Sequence, residues 1–350
     1  MRILVDATYT RRAPHSGTAV YVDRVVAALR ALPDVTVDTV ADARRHPPGG
    51  GGLASVANAL EDQRWTQYEL PRRARAAGAD VIHHPLPAHA YAPGAPPQVI
   101  TVHDLAFELL PSHFSPAYRR YAQLTHRLAA RTAAAVICVS RATADDVIAR
   151  WGVPAQRIVV APHGPGQELA SQPRAERPRH FLYVGDDEPR KNVAGLVEAY
   201  RRYAAVAPRP LALVLAGTTR RAPAGVVVEP SPSPQRLSEL HAGAAALVHP
   251  ALHEGFGLTV LEAMALGTPV IAAPSPAVAE VCGDAARYAD PENTGALAGA
   301  LSAVAGSEAL RRELSERGRR RAALFSWQSS ARDHVKAYCL ASENAPDGRR

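Results

Sequence analysis

An apolar run, Ala244 to Val248, gives way to His253-Glu254-Gly255-Phe256-Gly257, then to a strongly helix-favouring segment, Leu258 to Leu266, and then to a second apolar run, Val270 to Ala273. That order dictates strand, tight loop, helix and strand, because Gly267 sits where a helix C-terminal glycine belongs and Pro269 forbids continuation. The loop glycines let backbone approach a ligand closely. The amides of Phe256, Gly257, Leu258 and Thr259 are expected at the helix N-terminus, where an anion such as pyrophosphate is stabilised without a metal. Two carboxylates frame this cradle, Glu254 in the loop and Glu262 about one turn inside the helix. Carboxylates only accept hydrogen bonds, so beside a phosphate site they suit hydroxyl donors, which means sugars.

The same strand, glycine and helix grammar runs through the chain. Ile3 to Val5 ends in Asp6, and after a polar, basic loop Ser16-Gly17 leads into a helix to Arg30. The G-x-G-x-x-G dinucleotide fingerprint is absent, which argues against a nicotinamide enzyme. Asp80 to Pro85 and Val99 to Asp104 each read as a strand and its loop. His103 closes the second at the strand end where open α/β sheets bind ligands. His83, His84 and His89 lack the spacing of a helical ligand pair, so no metal is expected there. A helix from Pro116 to Arg131 carries Tyr118, Arg119, Arg120, Tyr121, Arg127 and Arg131. No nucleic-acid recognition motif accompanies them. Ala135 to Val139, a Ser140-capped helix from Thr143 to Trp151, and Ile158 to Ala161 complete the half.

Pro165 to Arg179 is rich in proline, glycine and charge without periodicity and reads as a domain boundary. The sheet restarts at His180 to Gly185, and Arg190-Lys191-Asn192 stands at the entrance of a helix through Tyr203. This is a second anion site, with Arg190 as a fork and Lys191 as a point charge. Leu211 to Gly217 and Val226 to Glu229 are strands joined only by Thr218 to Gly225. Helices follow at Leu237 to Ala242, Gly295 to Val304 and Glu308 to Leu324. A last helix runs from Phe325-Ser326-Trp327 to about Ala341.

At 350 residues the chain has room for two cored domains. Its formal charge of +7 suits an acidic partner, whether sugar nucleotide, anionic membrane or nucleic acid. Lysine occurs only at Lys191 and Lys336. Cys138, Cys282 and Cys339 are odd in number and widely spaced, as expected of buried free thiols in a reducing compartment. Charge interrupts the N-terminus too soon for a signal peptide, and no apolar run reaches the ~18 residues that span a bilayer. A soluble cytoplasmic protein is expected, with the inner membrane face left open by a patch of Trp65, Tyr68, Leu70, Arg72, Arg73 and Arg75. The plainer reading of that patch, a solvated helix face, is the preferred one, because charge runs usually mean only that. Pro47 to Leu53 reads as a flexible loop.

Two glutamates separated by seven residues, with Gly-Phe-Gly-Leu between and Glu-Ala-Met-Ala-Leu-Gly-Thr-Pro-Val after, resemble the donor-site signature of retaining glycosyltransferases of family 4. Gly185-x-x-x-Pro-Arg-Lys-Asn resembles that family's pyrophosphate loop, and Glu280 to Ala286 and Ala289 to Pro291 are similar to it as well. Ser16-Gly17 looks like the N-terminal glycine loop, though many relatives have two glycines or more there. The resemblance spans nearly the whole chain and is strongest from Phe181 to Pro291.

The resemblance implies an α/β GT-B fold, two Rossmann-like doubly wound domains facing a central cleft. Residues 1–165 would form the acceptor side, 166–179 a linker, 180–325 the nucleotide-sugar domain, 326–342 a helix returning to the first domain and 343–350 a disordered tail. It implies transfer of a sugar from a nucleotide diphosphate donor to an acceptor hydroxyl with retention, GDP-mannose being a frequent donor, in glycan, polysaccharide or glycosylated natural-product synthesis. The acceptor is open, lipid-linked or a small molecule, and nucleic acid is not expected. Arg190, Lys191 and the Phe256 to Thr259 terminus would hold the diphosphate with no metal and no cofactor beyond the donor. Glu254 would hold sugar hydroxyls, Glu262 the ribose, and His103 the sugar near its reacting face. Gly17, Gly185 and Gly255 would let donor and backbone approach. Asp186 and Asp187 depart from the pattern, as does the short Thr218 to Gly225 connection, which bears on the wall around the base. The alternatives are a non-catalytic sugar-nucleotide-binding subunit and a GT-B epimerase or hydrolase.

Overall fold

A computed structural model describes residues 1–13, 16–44, 53–166, 172–217 and 225–344. The short apolar runs become strands, and several are buried at every position, the mark of parallel sheets covered on both faces. β1 (Arg2–Asp6), β2 (Thr36–Val40), β3 (Val81–His84), β4 (Gln98–Val102), β5 (Ala135–Cys138) and β6 (Ile158–Val160) form one parallel sheet in the order β2-β1-β3-β4-β5-β6. β7 (His180–Val184), β8 (Ala212–Ala216), β9 (Val226–Glu229), β10 (Ala244–His249), β11 (Val270–Ala272) and β12 (Ala286–Tyr288) form another in the order β12-β11-β10-β7-β8-β9. The chain divides accordingly into unit 1, residues 1–108, 114–164 and 327–350, and unit 2, residues 109–113 and 165–326.

Alternation along β1 shows how the first sheet is clad. Ile3 and Val5 pack with Tyr21, Val25, Ala337 and Tyr338 from the helices Gly17–Arg30 and Trp327–Glu343. Leu4, on the opposite face, packs with Ile82, Trp65, Leu70 and Ala74. Serine caps set several helix starts. Ser16, Ser115, Ser140 and Ser233 each accept a hydrogen bond from the backbone N–H three residues on.

The structure departs from the sequence reading at several points. β2 escapes notice because it is a polar edge strand with only Val37 buried. The segment after Asp6 contains a short helix, Thr8–Arg12, and Gly17 is the first residue of its helix rather than a loop residue, because Ser16 caps there. The helix expected from Leu237 begins earlier, at Pro234 behind its Ser233 cap. Trp65 and Leu70 are core residues, Trp65 donating to Asp6 Oδ2 at 3.0 Å, which leaves Tyr68 as the patch's one exposed large apolar residue. Cys339 is exposed, unlike Cys138 and Cys282. The part of the 166–179 stretch seen at 172–179 is tied to unit 2, where Ala175 and Arg179 donate to the Ala242 and Gly243 carbonyls. Most of the Pro47 to Leu53 loop, the 218–224 connection and the tail from 345 on lie outside the described residues.

A directed hydrogen-bond chain crosses the core of unit 1. His334 Nδ1 can only donate to the Ser330 carbonyl, 2.7 Å away, so its Nε2 accepts from the Tyr21 hydroxyl at 2.8 Å. Tyr21 then accepts from Thr101 (2.8 Å), Thr101 from His83 Nε2 (2.9 Å), and His83 Nδ1 from Tyr338 (2.9 Å). Both imidazoles must be neutral for every donor to find an acceptor. Burial pulls His83 well below the usual histidine range and His334 down to about 4.

Free imidazoles take up a proton near 6.5, whereas His84 and His334 do so in the fold only near 4. Within that window the unfolded chain binds more protons, so stability is full above it and is lost as pH falls, by up to about 1.4 kcal/mol per pH unit for each such histidine. Urea unfolding at pH 7 and pH 5 is expected to show a clearly lower midpoint at pH 5. Equal midpoints would mean that these rings titrate freely in the folded state.

Candidate functional site

Parallel sheets place their functional loops at strand carboxyl ends, above all where the chain reverses its direction of growth across the sheet. In unit 2 that point lies between β7 and β10. β7 runs into Gly185, then a 3-10 turn, Pro189–Lys191, then the helix Val193–Val206. β10 runs through the loop at Glu254 into the helix Leu258–Ala265. The two loops are stitched together by Leu252 N–H, which donates to the Arg190 carbonyl at 2.8 Å.

That stitch brings the charged residues into one cluster. The Lys191 ammonium pairs directly with Glu254 Oε1. Arg190 Nη1 lies 3.5 Å from Glu254 Oε2, while its Nε donates to Glu188 at 2.7 Å. His249 Nε2 lies 3.4 Å from Glu254 Oε1. Burial raises the Glu254 carboxyl's affinity for a proton, but Lys191, His249 and Arg190 outweigh it and hold the group well below the usual carboxylate range. Glu254 is therefore a fixed anion, only 11% of its side chain exposed, surrounded by donors.

Backbone geometry around the cluster depends on left-handed residues. Gly257 caps the helix Leu258–Ala265 at φ 98°, and an added Cβ there would meet only ordinary contacts, so the torsion rather than crowding requires glycine. At Gly217, beside β7, space decides instead: a Cβ would stand 1.7 Å from the Gly185 carbonyl oxygen. Asn192 holds φ 55° and donates from Nδ2 to the Pro291 carbonyl at 2.7 Å, which fixes the turn from the Arg-Lys pair into its helix.

Of the residues singled out from sequence, Gly185, Arg190, Lys191, Glu254, Gly255, Phe256, Gly257, Leu258 and Thr259 lie on these two joined loops and the first turn of the second helix. Phe256 packs edge-to-face on Phe325 with centroids 6.0 Å apart. Glu262 is buried one turn into the helix. Asp186 and Asp187 are exposed. His103 and Gly17 belong to unit 1. His103 follows β4, and its Nε2 donates to the Pro85 carbonyl at 3.0 Å, leaving Nδ1 to accept. The Tyr21 ring meets it edge-on at 5.0 Å. Burial lowers its proton affinity, against the opposing pull of Pro85 and Asp104. Sequence reasoning missed His249 and Glu188. A usable signal existed, since a Val-His pair stands at the carboxyl end of both strands, Val248-His249 closing β10 and Val102-His103 marking the exit from β4. Among the described residues no group of three or more His, Cys, Asp or Glu is placed to hold a metal ion.

The family description "Glycosyltransferase Family 4" matches residues 15–165, and "Glycosyl transferases group 1" matches residues 167–321. The chain belongs to these glycosyltransferases. The family's relatives include O-antigen chain mannosyltransferase B of Escherichia coli, 28% identical over 69% of this chain and 70% of that protein. They also include the MMP alpha-(1->4)-mannosyltransferase of Mycolicibacterium hassiacum, 33% identical over 69% of this chain and 65% of that protein. The solved sucrose-phosphate synthase of Thermosynechococcus elongatus matches 97% of this chain and 98% of its own at a TM-score of 0.76 and 19% identity. The family fold, GT-B with two Rossmann-like domains, is thus the fold of this chain.

The Lys191–Glu254 pair is partly buried on both sides, at 18% and 11% side-chain exposure, so it is expected to be energetically coupled. A double-mutant cycle of Lys191→Met and Glu254→Gln, read by urea unfolding, should return a coupling of about 1–3 kcal/mol. Additive single effects would mean that the pair contributes nothing.

Proposed function

We propose that this chain is a retaining glycosyltransferase that moves a sugar, with GDP-mannose the favoured donor, from a nucleotide diphosphate to an acceptor hydroxyl. The observation that carries this reading is the meeting of Arg190, Lys191, Glu254 and the first turn of the helix Leu258–Ala265 at the switch point of β7 and β10. That turn presents backbone N–H groups and the positive end of the helix dipole. With two cations beside them, these groups suit the charge that grows on a departing diphosphate. A donor diphosphate would compete with Glu254 for Lys191 and Arg190, and each pair it replaced would turn the carboxylate toward sugar hydroxyls.

Glu262 is assigned to the ribose and His103 to the reacting face of the sugar by resemblance to the family. The neutral His103 ring, with Nδ1 left to accept, fits a hydroxyl donor. Two relatives named as mannosyltransferases support mannose, and retention rests on the signature from Glu254 to Glu262. No cofactor besides the donor enters this scheme. Its positive charge comes from Arg190, Lys191 and the helix terminus.

A thermal-shift screen against GDP-, UDP-, ADP- and dTDP-sugars, with and without EDTA, tests the donor. At a ligand concentration of ~100 times the dissociation constant, one site contributes about 2.7 kcal/mol. The expected result is a shift with the GDP-sugar that survives EDTA. A shift with another base reassigns the donor, one abolished by EDTA removes the metal-free scheme, and none at all removes the donor site.

Turnover tests the roles. Arg190→Ala and Glu254→Gln, in protein that remains folded by circular dichroism, are each expected to lower kcat by about 10²-fold or more. Full activity in either variant would remove that residue from the scheme. Release of free sugar at the same rate with and without acceptor would assign the site to hydrolysis.

A further inference from the structure

We propose that His249 is a positioning residue for the donor sugar: it holds Glu254 in place once the donor diphosphate has drawn Lys191 and Arg190 away from that carboxylate. This role rests on the function proposed above. His249 closes β10, a strand buried at every position, and is itself only 3% exposed. Its backbone is fixed in the sheet, where the Ala273 N–H donates to its carbonyl at 2.9 Å. The ring cannot turn to water, and its two nitrogens face two residues of the site. Nε2 lies 3.4 Å from Glu254 Oε1 and has no aligned hydrogen-bond partner among the described residues. Nδ1 lies 3.4 Å from the hydroxyl of Thr259, in the first turn of the helix Leu258–Ala265. His83 and His334, the core histidines of unit 1, are held more tightly, and each of their ring nitrogens meets a partner at 2.9 Å or less.

Hydrogen-bond chemistry fixes the direction of the link. A carboxylate only accepts, so the nitrogen facing Glu254 must carry the proton, and in a neutral ring Nδ1 is then the acceptor for the Thr259 hydroxyl. The ring thus joins the carboxylate assigned to the sugar with the helix end assigned to the diphosphate. Without donor, Lys191 and His249 share Oε1 and Arg190 stands at Oε2. A diphosphate offers both cations more negative charge than one carboxylate does. Glu254, 11% exposed, would then be a nearly buried anion without a cation, a costly state unless other donors replace them. Of the three side chains around Glu254, His249 is the one set on a buried strand, where it cannot follow the diphosphate. Its contact occupies Oε1 and leaves Oε2 to the sugar hydroxyls. The 3.4 Å gap leaves room for that bond to tighten once the donor is in place. An apolar side chain at position 249 would fill the same space but leave the carboxylate free to rotate.

Calorimetric titration of the full chain with GDP, GDP-mannose, UDP and UDP-glucose reads the diphosphate and the sugar separately, with no acceptor required. The diphosphate and the sugar nucleotide of the base that binds wild type are then titrated into three variants. In His249→Gln the side-chain amide reaches the Nε2 position, so the sugar nucleotide should bind within about threefold of wild type. His249→Asn reaches only the Nδ1 position and His249→Phe donates nothing. Each should bind the sugar nucleotide about tenfold or more weakly and the diphosphate within about twofold of wild type. Two shapes of the defective side chain are used because the position is buried, and urea midpoints show which variants fold. In a Glu254→Gln background, adding His249→Asn should change neither affinity. Equal losses for diphosphate and sugar nucleotide, a Gln variant as weak as the Asn variant, or an undiminished loss in the Glu254→Gln background overturns the proposal. So does wild-type protein with isotopically labelled histidine whose His249 ring, read by NMR, carries its proton on Nδ1 alone. If none of the four nucleotides binds wild type, the donor reading falls and this one with it. If one binds, the outcomes above judge the role of His249 alone.

Discussion

In both sheets every strand pairing is parallel, and strands such as β3, β4, β5 and β10 are buried along their whole length. Side chains along such strands have no route to water. Charged chemistry must therefore gather at strand ends, and it gathers most where neighbouring loops leave in opposite directions. The Arg190, Lys191 and Glu254 cluster sits at that place in unit 2, and the Leu252–Arg190 backbone bond that joins its two loops follows from β7 and β10 being neighbours.

The buried tyrosines, Thr101 and two histidines at the core of unit 1 obey a second constraint, that each donor in their chain finds an acceptor. In unit 1 this requirement orders five hydrogen bonds from Tyr338 to Ser330 and sets the tautomers of two histidines. Tyr21, in the middle of that chain, also supplies the ring against which His103 rests. The fixed position of a candidate site residue and the stability of the core thus share one network.

Much of the candidate site was legible because its chemistry is local. Gly257, Leu258 and Thr259 are consecutive, and a glycine before a helix-favouring run reads as a helix start wherever it occurs. His249 and Glu188 were not legible in the same way, because each matters only through what it faces, Glu254 in one case and Arg190 in the other. The Trp65 patch shows the converse. Its residues look amphipathic in one dimension, yet packing against Leu4 and Ile82 removes Trp65 and Leu70 from the surface.

The sequence by itself determined the elements, the parallel α/β class and the family, since these rest on short-range patterns: apolar runs, caps, breakers, and motifs contained within about thirty residues. Tertiary structure alone decided which charges meet and which faces stay open. Lys191 and Glu254 are separated by 63 positions, and His83 and Tyr338 by 255, so sheet order and not spacing brings them together. The exposure of Tyr121, Leu124 and Leu128 on the helix Pro116–Thr132 likewise depends on three alanines turning inward, and burial is a property of neighbours that no single segment contains.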